Sequence, residues 1–347
     1  MCYRWTWPLE YERARTVARV NVFNPATGLW GYCSGSLVSC DGLFLTNYHC
    51  IPGYGPPELA YFDFMAEAPN CTDPPESRHQ GFRYYGADLM SSSQGLDYSL
   101  LQLIEYGPHV HYGSLSFSAS DPEVDSQIYI PQHPCGWDKQ IALWSTHPAD
   151  QSKLCEVIAT NISGCNVNDV VFGYYCDTDG GSSGSPVLAR INHQVAGVHH
   201  CSGCPTTCNG AVEISAIRQQ IEADLGHSLD PPPPGEIPWW QPQPLLIAQY
   251  PGDPVMRFQW GSTENALRYN LYRWSVRQNG QPWIYNHYAD PANGVGTCDN
   301  VNRWHNAILA QESGDFYYLV TAENACAEGP IGYATNNNQR PPGQGCP

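Results

Sequence analysis

Short apolar or alternating runs, each ended by glycine, proline, asparagine or aspartate, dominate the first two thirds of the chain. The clearest are TVARVNVF, GSLVS, LFLTNYH, YSLLQLIEY, QIYIPQH, KQIALWS, SPVLARI, QVAGVHH and GAVEI. Many short strands separated by turn residues are typical of a β-barrel or β-sandwich. One segment has a helical period, because Ile214, Ile217, Ile221 and Leu225 lie three or four residues apart and Gly226 follows as a stop signal. The sequence therefore predicts a mainly β domain that a single helix closes.

A proline-rich segment at residues 227–244, HSLDPPPPGEIPWWQPQP, divides the chain. Consecutive prolines favour an extended, semi-rigid spacer. We expect residues 1–226 to form one domain and residues 245–347 to form another. In the latter, FQW, RYNLYRWSV, WIYNHYA and FYYLVTA alternate over strand-length runs, which predicts a second, sandwich-like β domain.

The charge balance excludes one class of partner. Acidic residues outnumber basic ones 33 to 16, which gives a formal net charge of −17. A phosphate backbone would be repelled, and no basic stripe offsets the repulsion, so we expect no binding of nucleic acid. Only Lys139 and Lys153 are lysines, and the mainly arginine remainder does not indicate a membrane-seeking surface.

Fifteen cysteines indicate disulfides, and disulfides persist in oxidising compartments, so we expect a secreted, extracellular protein. The longest apolar runs are much shorter than the roughly 20 residues that a membrane span needs. Residues 1–19 are aromatic and charged and do not form a signal peptide. We therefore expect a mature or trimmed chain.

A glycine- and serine-rich loop, DTDGGSSGSPVL at residues 177–188, is the segment best suited to nucleophilic chemistry. A serine between glycines on a tight loop presents its hydroxyl outward while backbone amides converge on one point. Ser183 is the candidate nucleophile, and the amides of Gly181 and Ser183 are the candidate oxyanion donors. Taken alone, such a loop is more often a simple turn.

Two further segments support this interpretation. His49 ends the strand-like run in CSGSLVSCDGLFLTNYHC, where a disulfide between Cys33 and Cys50 would hold its loop against the neighbouring strand. Asp97 precedes an apolar run in GLDYSLLQL, and a buried carboxylate there would orient the imidazole and stabilise the imidazolium. Each residue alone fits a structural role, whereas His49, Asp97 and Ser183 together indicate a catalytic triad.

These segments resemble the three signatures of chymotrypsin-like serine endopeptidases, over roughly residues 16–225. PQHPCGWDKQIA and SGSPV make the likeness closest to bacterial secreted glutamyl and lysyl endopeptidases. The resemblance implies two packed β-barrels and hydrolysis of protein or peptide substrates through an acyl-enzyme. It implies no cofactor and no metal. Ser182 replaces the aspartate that pairs with a new N-terminus in animal relatives, so we expect no trypsin-style activation and a removed propeptide instead.

The specificity pocket has two interpretations in the light of this resemblance. Asp177 lies where trypsin-like enzymes carry the carboxylate that binds Arg or Lys. Thr178 and His199 match the residues that contact a Glu side chain in glutamyl endopeptidases. A pocket aspartate would reject Glu, whereas a histidine donor would accept it. Asp177 could also be a turn residue, with Cys176 beside it bonded to Cys155, and the pattern favours cleavage after Glu or Asp over cleavage after Arg or Lys.

The segment HHCSGCPTTC at residues 199–208 has zinc binding as an alternative. Its spacing matches no paired CxxC pattern, and exported thiols oxidise, so disulfides of Cys201, Cys204 and Cys208 are the favoured interpretation. Another histidine-rich segment, HVH at residues 109–111, alternates like a strand, and we assign it no role.

The C-terminal segments resemble fibronectin type III-like modules of bacterial secreted enzymes, with Cys298 and Cys326 as the predicted disulfide. Exposed tryptophans could stack on sugars or peptides, although core packing is the commoner role. We expect this domain to bind a surface or polymer, or to act as a spacer. For the whole chain, the alternatives to an endopeptidase are an inactive adhesion or assembly protein on the same scaffold, or an esterase.

Overall fold

The structure, a computed structural model, describes residues 3–74, 76–105, 107–150, 154–204, 208–229, 245–249, 255–261, 268–275, 297–300, 304–308 and 316–323. The chain divides into two compact units, Met1–Asp230 and Pro231–Pro347. Residues 230–244 of the predicted spacer lie outside the described ranges, so the boundaries at 226 and 245 stay predictions.

The first barrel of the N-terminal unit is a curled sheet of seven antiparallel strands. They are β1 Val17–Asn24, β2 Leu29–Leu37, β3 Leu43–Thr46, β4 Ala60–Phe64, β5 Phe82–Tyr85, β6 Ala87–Ser93 and β7 Tyr98–Leu103. They pair in the order β5-β4-β1-β2-β3-β7-β6. Val20, Phe44 and Phe62 are fully buried in its core, and the two phenylalanine rings meet edge to face.

The second barrel repeats this arrangement. Its strands are β8 Ile128–Gln132, β9 Gln140–Ala142, β10 Val157–Gly164, β11 Val167–Tyr174, β12 Pro186–Ala189, β13 Val195–Cys204 and β14 Cys208–Glu213. They pair in the order β10-β11-β14-β13-β12-β8-β9. Ile130, Phe172 and Val187 lie in its core. Every one of the nine runs read from the sequence contains or overlaps a strand.

The two barrels share a third apolar cluster. Leu45 and Tyr98 of the first barrel and Tyr129 and Val198 of the second belong to it, together with the closing helix. Both barrels bury apolar side chains in this cluster, and the removal of this surface from water holds the barrels together. The mainly β, two-barrel chymotrypsin-like fold predicted from the sequence is thereby confirmed.

Helices occupy the ends and one connection of this unit: α1 Tyr3–Thr6, α2 Pro8–Ala14, α3 Pro108–Tyr112 and α4 Ile214–Leu225. The predicted closing helix is confirmed as α4, which buries Ile214, Ile217 and Ile221. Its last turn ends at Gly226, which has a φ of 74° and donates its amide to Glu222. None of the described helices is both long enough and apolar enough to cross a membrane.

The strand-like alternation predicted for residues 109–111 was wrong, because those residues lie in helix α3. Pro108 occupies the first helical position, where its missing N–H costs nothing and its fixed φ suits a helix. Gly113 then ends the helix with a φ of 75°. Local proline and glycine geometry overrides the apolar alternation here.

The described residues of the C-terminal unit form two three-stranded antiparallel sheets. The strands are β15 Leu245–Gln249, β16 Val255–Trp260, β17 Arg268–Ser275, β18 Thr297–Asn300, β19 Trp304–Ile308 and β20 Phe316–Glu323. One sheet has the order β15-β16-β19 and the other β18-β17-β20. Phe258 and Trp260 of the first pack with Leu271 and Ala322 of the second, as in a β-sandwich. Trp260 is therefore a core residue.

Candidate active site

His49 and Asp97 meet on the first barrel. His49 follows the end of β3, and Asp97 immediately precedes β7, the strand that pairs with β3. The carboxylate accepts two hydrogen bonds from the histidine, one from the backbone amide at 3.0 Å and one from the ring Nδ1 at 2.7 Å. The His49 side chain is 47% exposed and that of Asp97 only 14%. The partly buried acid thus orients an accessible imidazole.

The ionisation of Asp97 decides the histidine tautomer. Burial raises the pKa of this carboxyl, but hydrogen bonds from His200 and His49 outweigh burial, and the net shift is downward. An ionised carboxylate only accepts hydrogen bonds, so His49 Nδ1 carries the proton. In the neutral ring, Nε2 then keeps the lone pair that can accept a proton from a nucleophile.

Two neighbours of this pair were missed by the sequence reasoning. The side chain of His200, only 1% exposed, places Nδ1 3.6 Å from the Asp97 carboxylate. Asn47 donates its side-chain amide to the Asp97 carbonyl at 2.7 Å. Asp97 itself has a φ of 47°, in the left-handed region. These contacts hold an otherwise unfavourable backbone conformation in place.

The Ser183 loop of the second barrel docks onto the first barrel through Ser34 of β2. The Ser34 amide donates to the Ser183 carbonyl at 2.8 Å, and its hydroxyl donates to the Gly181 carbonyl at 2.9 Å. Gly184 is packed so closely that a Cβ there would collide with the Ser34 carbonyl and the Thr46 hydroxyl. Thr46 is the last residue of β3, three positions before His49. The loop of the half-buried Ser183 is thus held against β2 and against the end of β3 that leads to His49.

The amides of this loop divide into two groups. Those of Asp179, Gly180, Ser182, Gly184 and Ser185 donate hydrogen bonds within the loop or to His199. In the described part of the chain, the amides of Gly181 and Ser183 donate none. Gly181 has a φ of 95°, which a side chain would disfavour. The amides of Gly181 and Ser183 are therefore available, and they are the two that the sequence predicts as oxyanion donors.

The three predicted pocket residues lie in different environments. Asp177 is exposed, and its carboxylate accepts hydrogen bonds from the Thr146 hydroxyl at 3.0 Å and amide at 3.4 Å. Thr178 is half-buried. His199 is buried on β13, and its Nδ1 lies 2.6 Å from the Tyr174 hydroxyl. Burial, with the nearby His200 and His49, lowers the pKa of His199 to about 3, so the ring is neutral at neutral pH.

A cleft of about 350 Å³ opens beside His49 and Asp97. Its lining residues are Tyr48, His49, Gly53, Gln94, Asp97, Cys165, Asn166 and His200. Cys165 and Asn166 form the turn between β10 and β11, both with positive φ. A disulfide from Cys165 to Cys201 ties this turn to β13. A larger cavity of about 650 Å³ near Arg190 includes none of the triad residues.

The cysteine pairings hold the loop that carries His49 and argue against the zinc alternative at residues 199–208. Cys33 is bonded to Cys50, beside His49, and Cys155 to Cys176, as the sequence suggested. The zinc alternative lacks thiolates, because Cys201 is bonded to Cys165 and Cys204 to Cys208. The sulfurs of Cys33 and Cys50 approach the His49 ring but are also oxidised. Cys326 and the side chain of Cys298 lie outside the described residues, so their pairing stays a prediction.

Comparison with known families agrees with this geometry. Residues 1–214 match the family described as lysyl endopeptidase, C-terminal domain. The chain belongs to this family. This lysyl endopeptidase-family chain is also 36% identical over 207 residues to secreted RxLR effector protein 73 of Plasmopara viticola, across 59% of the chain and 49% of that protein. It thus spans about half the length of that curated relative.

Two solved structures are similar to this family member at low identity. The active form of the Rv3671c protease from M. tuberculosis has 15% identity and a TM-score of 0.48, covering 66% of this chain and 88% of that one. The serine endoprotease from Yersinia pestis has 16% identity and a TM-score of 0.44, covering 62% and 65% respectively.

Proposed function

We propose that the protein is a secreted serine endopeptidase that cleaves peptide bonds through an acyl-enzyme. Ser183 attacks the carbonyl carbon while His49 Nε2 accepts its proton, and His49 then protonates the leaving amine. Asp97 orients the imidazole and stabilises its charged form. The amides of Gly181 and Ser183 bind the oxyanion.

The observation that carries this proposal is the hydrogen-bond pattern of the site. The Asp97 carboxylate fixes the tautomer of His49 that leaves Nε2 able to accept a proton. The loop that holds Ser183 satisfies its other amides but leaves those of Gly181 and Ser183 free among the described residues. An inactive adhesion protein would have no need of either feature. Membership of the lysyl endopeptidase family also supports a peptidase rather than an esterase.

We further propose that the residue on the acyl side of the cleaved bond is selected by shape more than by charge. His199, predicted to bind an acidic side chain, is neutral and already held by Tyr174. Asp177, predicted to bind a basic one, is exposed and held by Thr146. Cleavage after Glu or Asp, and after Arg or Lys, remain the two alternatives.

Secretion and attachment belong to the same proposal. The disulfides support an oxidising compartment, and the name of the Plasmopara viticola relative describes that protein as secreted. We propose that the C-terminal sandwich is a fibronectin type III-like module that binds a surface or polymer. Its two facing three-stranded sheets are compatible with such a module.

The deciding experiment is hydrolysis of a mixed peptide library by the parent protein and by Ser183→Ala, with cleavage sites read by mass spectrometry. We expect cleavage by the parent only, with a loss of about 10⁴-fold or more in the variant. Scattered, mostly uncharged residues before the cleaved bond would support selection by shape. Cleavage only after Glu would reinstate Thr178 and His199 as the pocket, and cleavage only after Arg or Lys would reinstate Asp177. If both proteins are folded and neither cleaves, the scaffold alternative is correct.

A further inference from the structure

We propose that Arg78 binds an acidic side chain of the substrate on the leaving-group side of the cleaved bond, an inference that rests on the proposed peptidase function. The exposed guanidinium of Arg78 lies over the ring of Tyr32, with Cζ 4.9 Å from the ring centroid. One of its nitrogens donates to the Cys135 carbonyl at 2.8 Å. The stacking fixes one face of the guanidinium and the hydrogen bond fixes one edge, while the rest of the group stays open to water.

The anchors of Arg78 are themselves parts of the site. The Cys135 amide donates to the Gly180 carbonyl, in the loop that carries the oxyanion amides. Gly136 packs under the Tyr32 ring, where an added Cβ would lie 2.6 Å from the ring carbons. Tyr32 is the residue before Cys33, whose disulfide reaches Cys50 next to His49. Arg78 is thus connected through Cys135 to the loop that carries the oxyanion amides. Through Tyr32 and the Cys33–Cys50 disulfide, it is also connected to the segment that carries His49.

The charge of Arg78 has no carboxylate partner within ion-pair distance among the described residues. Elsewhere in the same ranges the arginine–carboxylate pairs are Arg15–Glu12, Arg19–Asp63, Arg83–Asp63, Arg190–Glu10 and Arg218–Glu222. Asp179, the acidic residue that contacts the Cys135 thiol, accepts the Gly180 amide at 2.7 Å. In a protein with a net charge of −17, an exposed unpaired cation attached to the oxyanion loop through Cys135 is an attractive point for a substrate carboxylate.

The position of Arg78 relative to Ser183 assigns the side of the substrate. On one side of the nucleophile, the Gly184 amide bonds to the carbonyl of His199 on β13, the strand with the predicted acyl-side pocket residue. On the other side along the loop, the Gly181 carbonyl accepts the Ser34 hydroxyl and the Gly180 carbonyl accepts the amide of Cys135, the residue that holds Arg78. A side chain that reaches Arg78 therefore belongs to the part of the substrate that leaves with the amine.

The test uses quenched fluorescent peptides with a constant acyl side and Glu, Gln or Lys at successive positions after the cleaved bond. The proteins are the parent, Arg78→Gln, Arg78→Lys and the matched control Arg218→Gln, which alters an arginine on α4. We expect the parent to prefer Glu over Gln at one position by about three- to ten-fold in kcat/KM. Arg78→Gln should remove the preference, Arg78→Lys should keep part of it, and Arg218→Gln should keep all of it. Salt at about 0.5 M should weaken it.

The outcomes separate recognition from structural support and from the peptidase function itself. If Arg78→Gln lowers activity on the Glu and Gln peptides equally, the Glu:Gln ratio is unchanged. That result would mean that Arg78 only supports Cys135, and it would overturn the inference. The activity of the parent on the Gln peptides reports the peptidase function separately. Binding of the same peptides to Ser183→Ala and to Ser183→Ala/Arg78→Gln, measured by fluorescence anisotropy, decides the role of Arg78 even if no peptide is cleaved.

Discussion

At the scale of single residues, burial assigns different properties to three histidines that lie close together. His49 is exposed at the cleft and held by Asp97, so its ring is accessible for proton transfer. His200 is buried behind Asp97 and contacts the same carboxylate. His199 is buried, neutral and bonded to Tyr174. The sequence HH therefore contains two residues with distinct surroundings, at a point where the register between β13 and β14 shifts.

The low pKa of His199 predicts a pH-dependent stability. Burial, its largest cause, lowers the folded-state pKa to about 3, below the usual value of 6.5. Above pH 6.5 the ring is neutral in both states. As the pH falls towards 3, only the unfolded chain binds the proton, so the free energy of unfolding decreases. We expect His199→Phe to reduce this dependence between about pH 6 and pH 4 by roughly 1.4 kcal/mol per pH unit.

The measurement is the free energy of unfolding in urea as a function of pH. Tyr174→Phe is the matched control, since it removes the hydrogen bond but keeps the imidazole buried. It should lower stability by about 1 kcal/mol and leave the pH dependence in place. The same pH dependence in His199→Phe as in the parent would show that His199 is protonated in the folded protein. His133, also buried with a lowered pKa, remains in all three proteins and contributes equally.

At the scale of elements, the docking of the Ser183 loop against β2 and β3 makes a sharp prediction for Gly184. Both Gly184 and Gly28 have positive φ, 87° and 71°, but only Gly184 faces backbone and side-chain atoms at contact distance. Gly28→Ala should therefore cost about 1 kcal/mol for conformation alone. Gly184→Ala should cost at least about 3 kcal/mol, because the loop must also move away from Ser34.

Urea unfolding of the two alanine variants checks this, with peptide hydrolysis as a second readout. Similar stabilities for both variants would show that the loop does not depend on its close approach to β2. A folded Gly184→Ala that has lost activity would instead locate the effect in the alignment of Ser183.

The same scale shows what the sequence could and could not predict. The buried strands were recognisable, because β1, β7 and β13 bury runs of consecutive residues that are mostly apolar. Strands β5 and β6 lie at or near sheet edges, half-exposed and rich in polar or tyrosine side chains, so their hydrophobic pattern is weak. Strand β10 likewise alternates between half-buried and exposed residues.

The candidate site likewise contains residues that the sequence indicates and residues that it does not. His49, Asp97 and Ser183 stand in local patterns that indicate their chemistry. Ser34 and His200 act through contacts between residues far apart in the chain, such as Ser34 with Ser183. Spacing and periodicity do not encode such contacts, which depend on how the two barrels pack.

At the scale of the whole molecule, the described residues of each unit form their own apolar clusters. The three clusters of the N-terminal unit contain only residues up to Leu229, and that of the C-terminal unit only residues from Leu245 onward. We therefore expect a chain ending at residue 230 to fold and to hydrolyse short peptides with kcat/KM within about two-fold of the parent.

Calorimetry and peptide hydrolysis on the shortened and full-length chains test this independence. A single thermal transition and unchanged activity for residues 1–230 would support it. Aggregation, or a loss of activity on short peptides, would mean that the C-terminal unit stabilises the catalytic one. Loss of cleavage only on an insoluble or surface-bound substrate would point to attachment as the role of the sandwich.

Ser182 has a consequence for when such an enzyme becomes active. Its buried hydroxyl accepts the Asp179 amide, and its own amide donates to the Asp179 carbonyl, so the nucleophile loop closes on itself. We therefore expect that no newly released amino group is needed to complete it, and that the proposed peptidase is competent as soon as its barrels form. The producing cell would then need to delay the enzyme by obstructing the cleft, or by letting folding finish only after export.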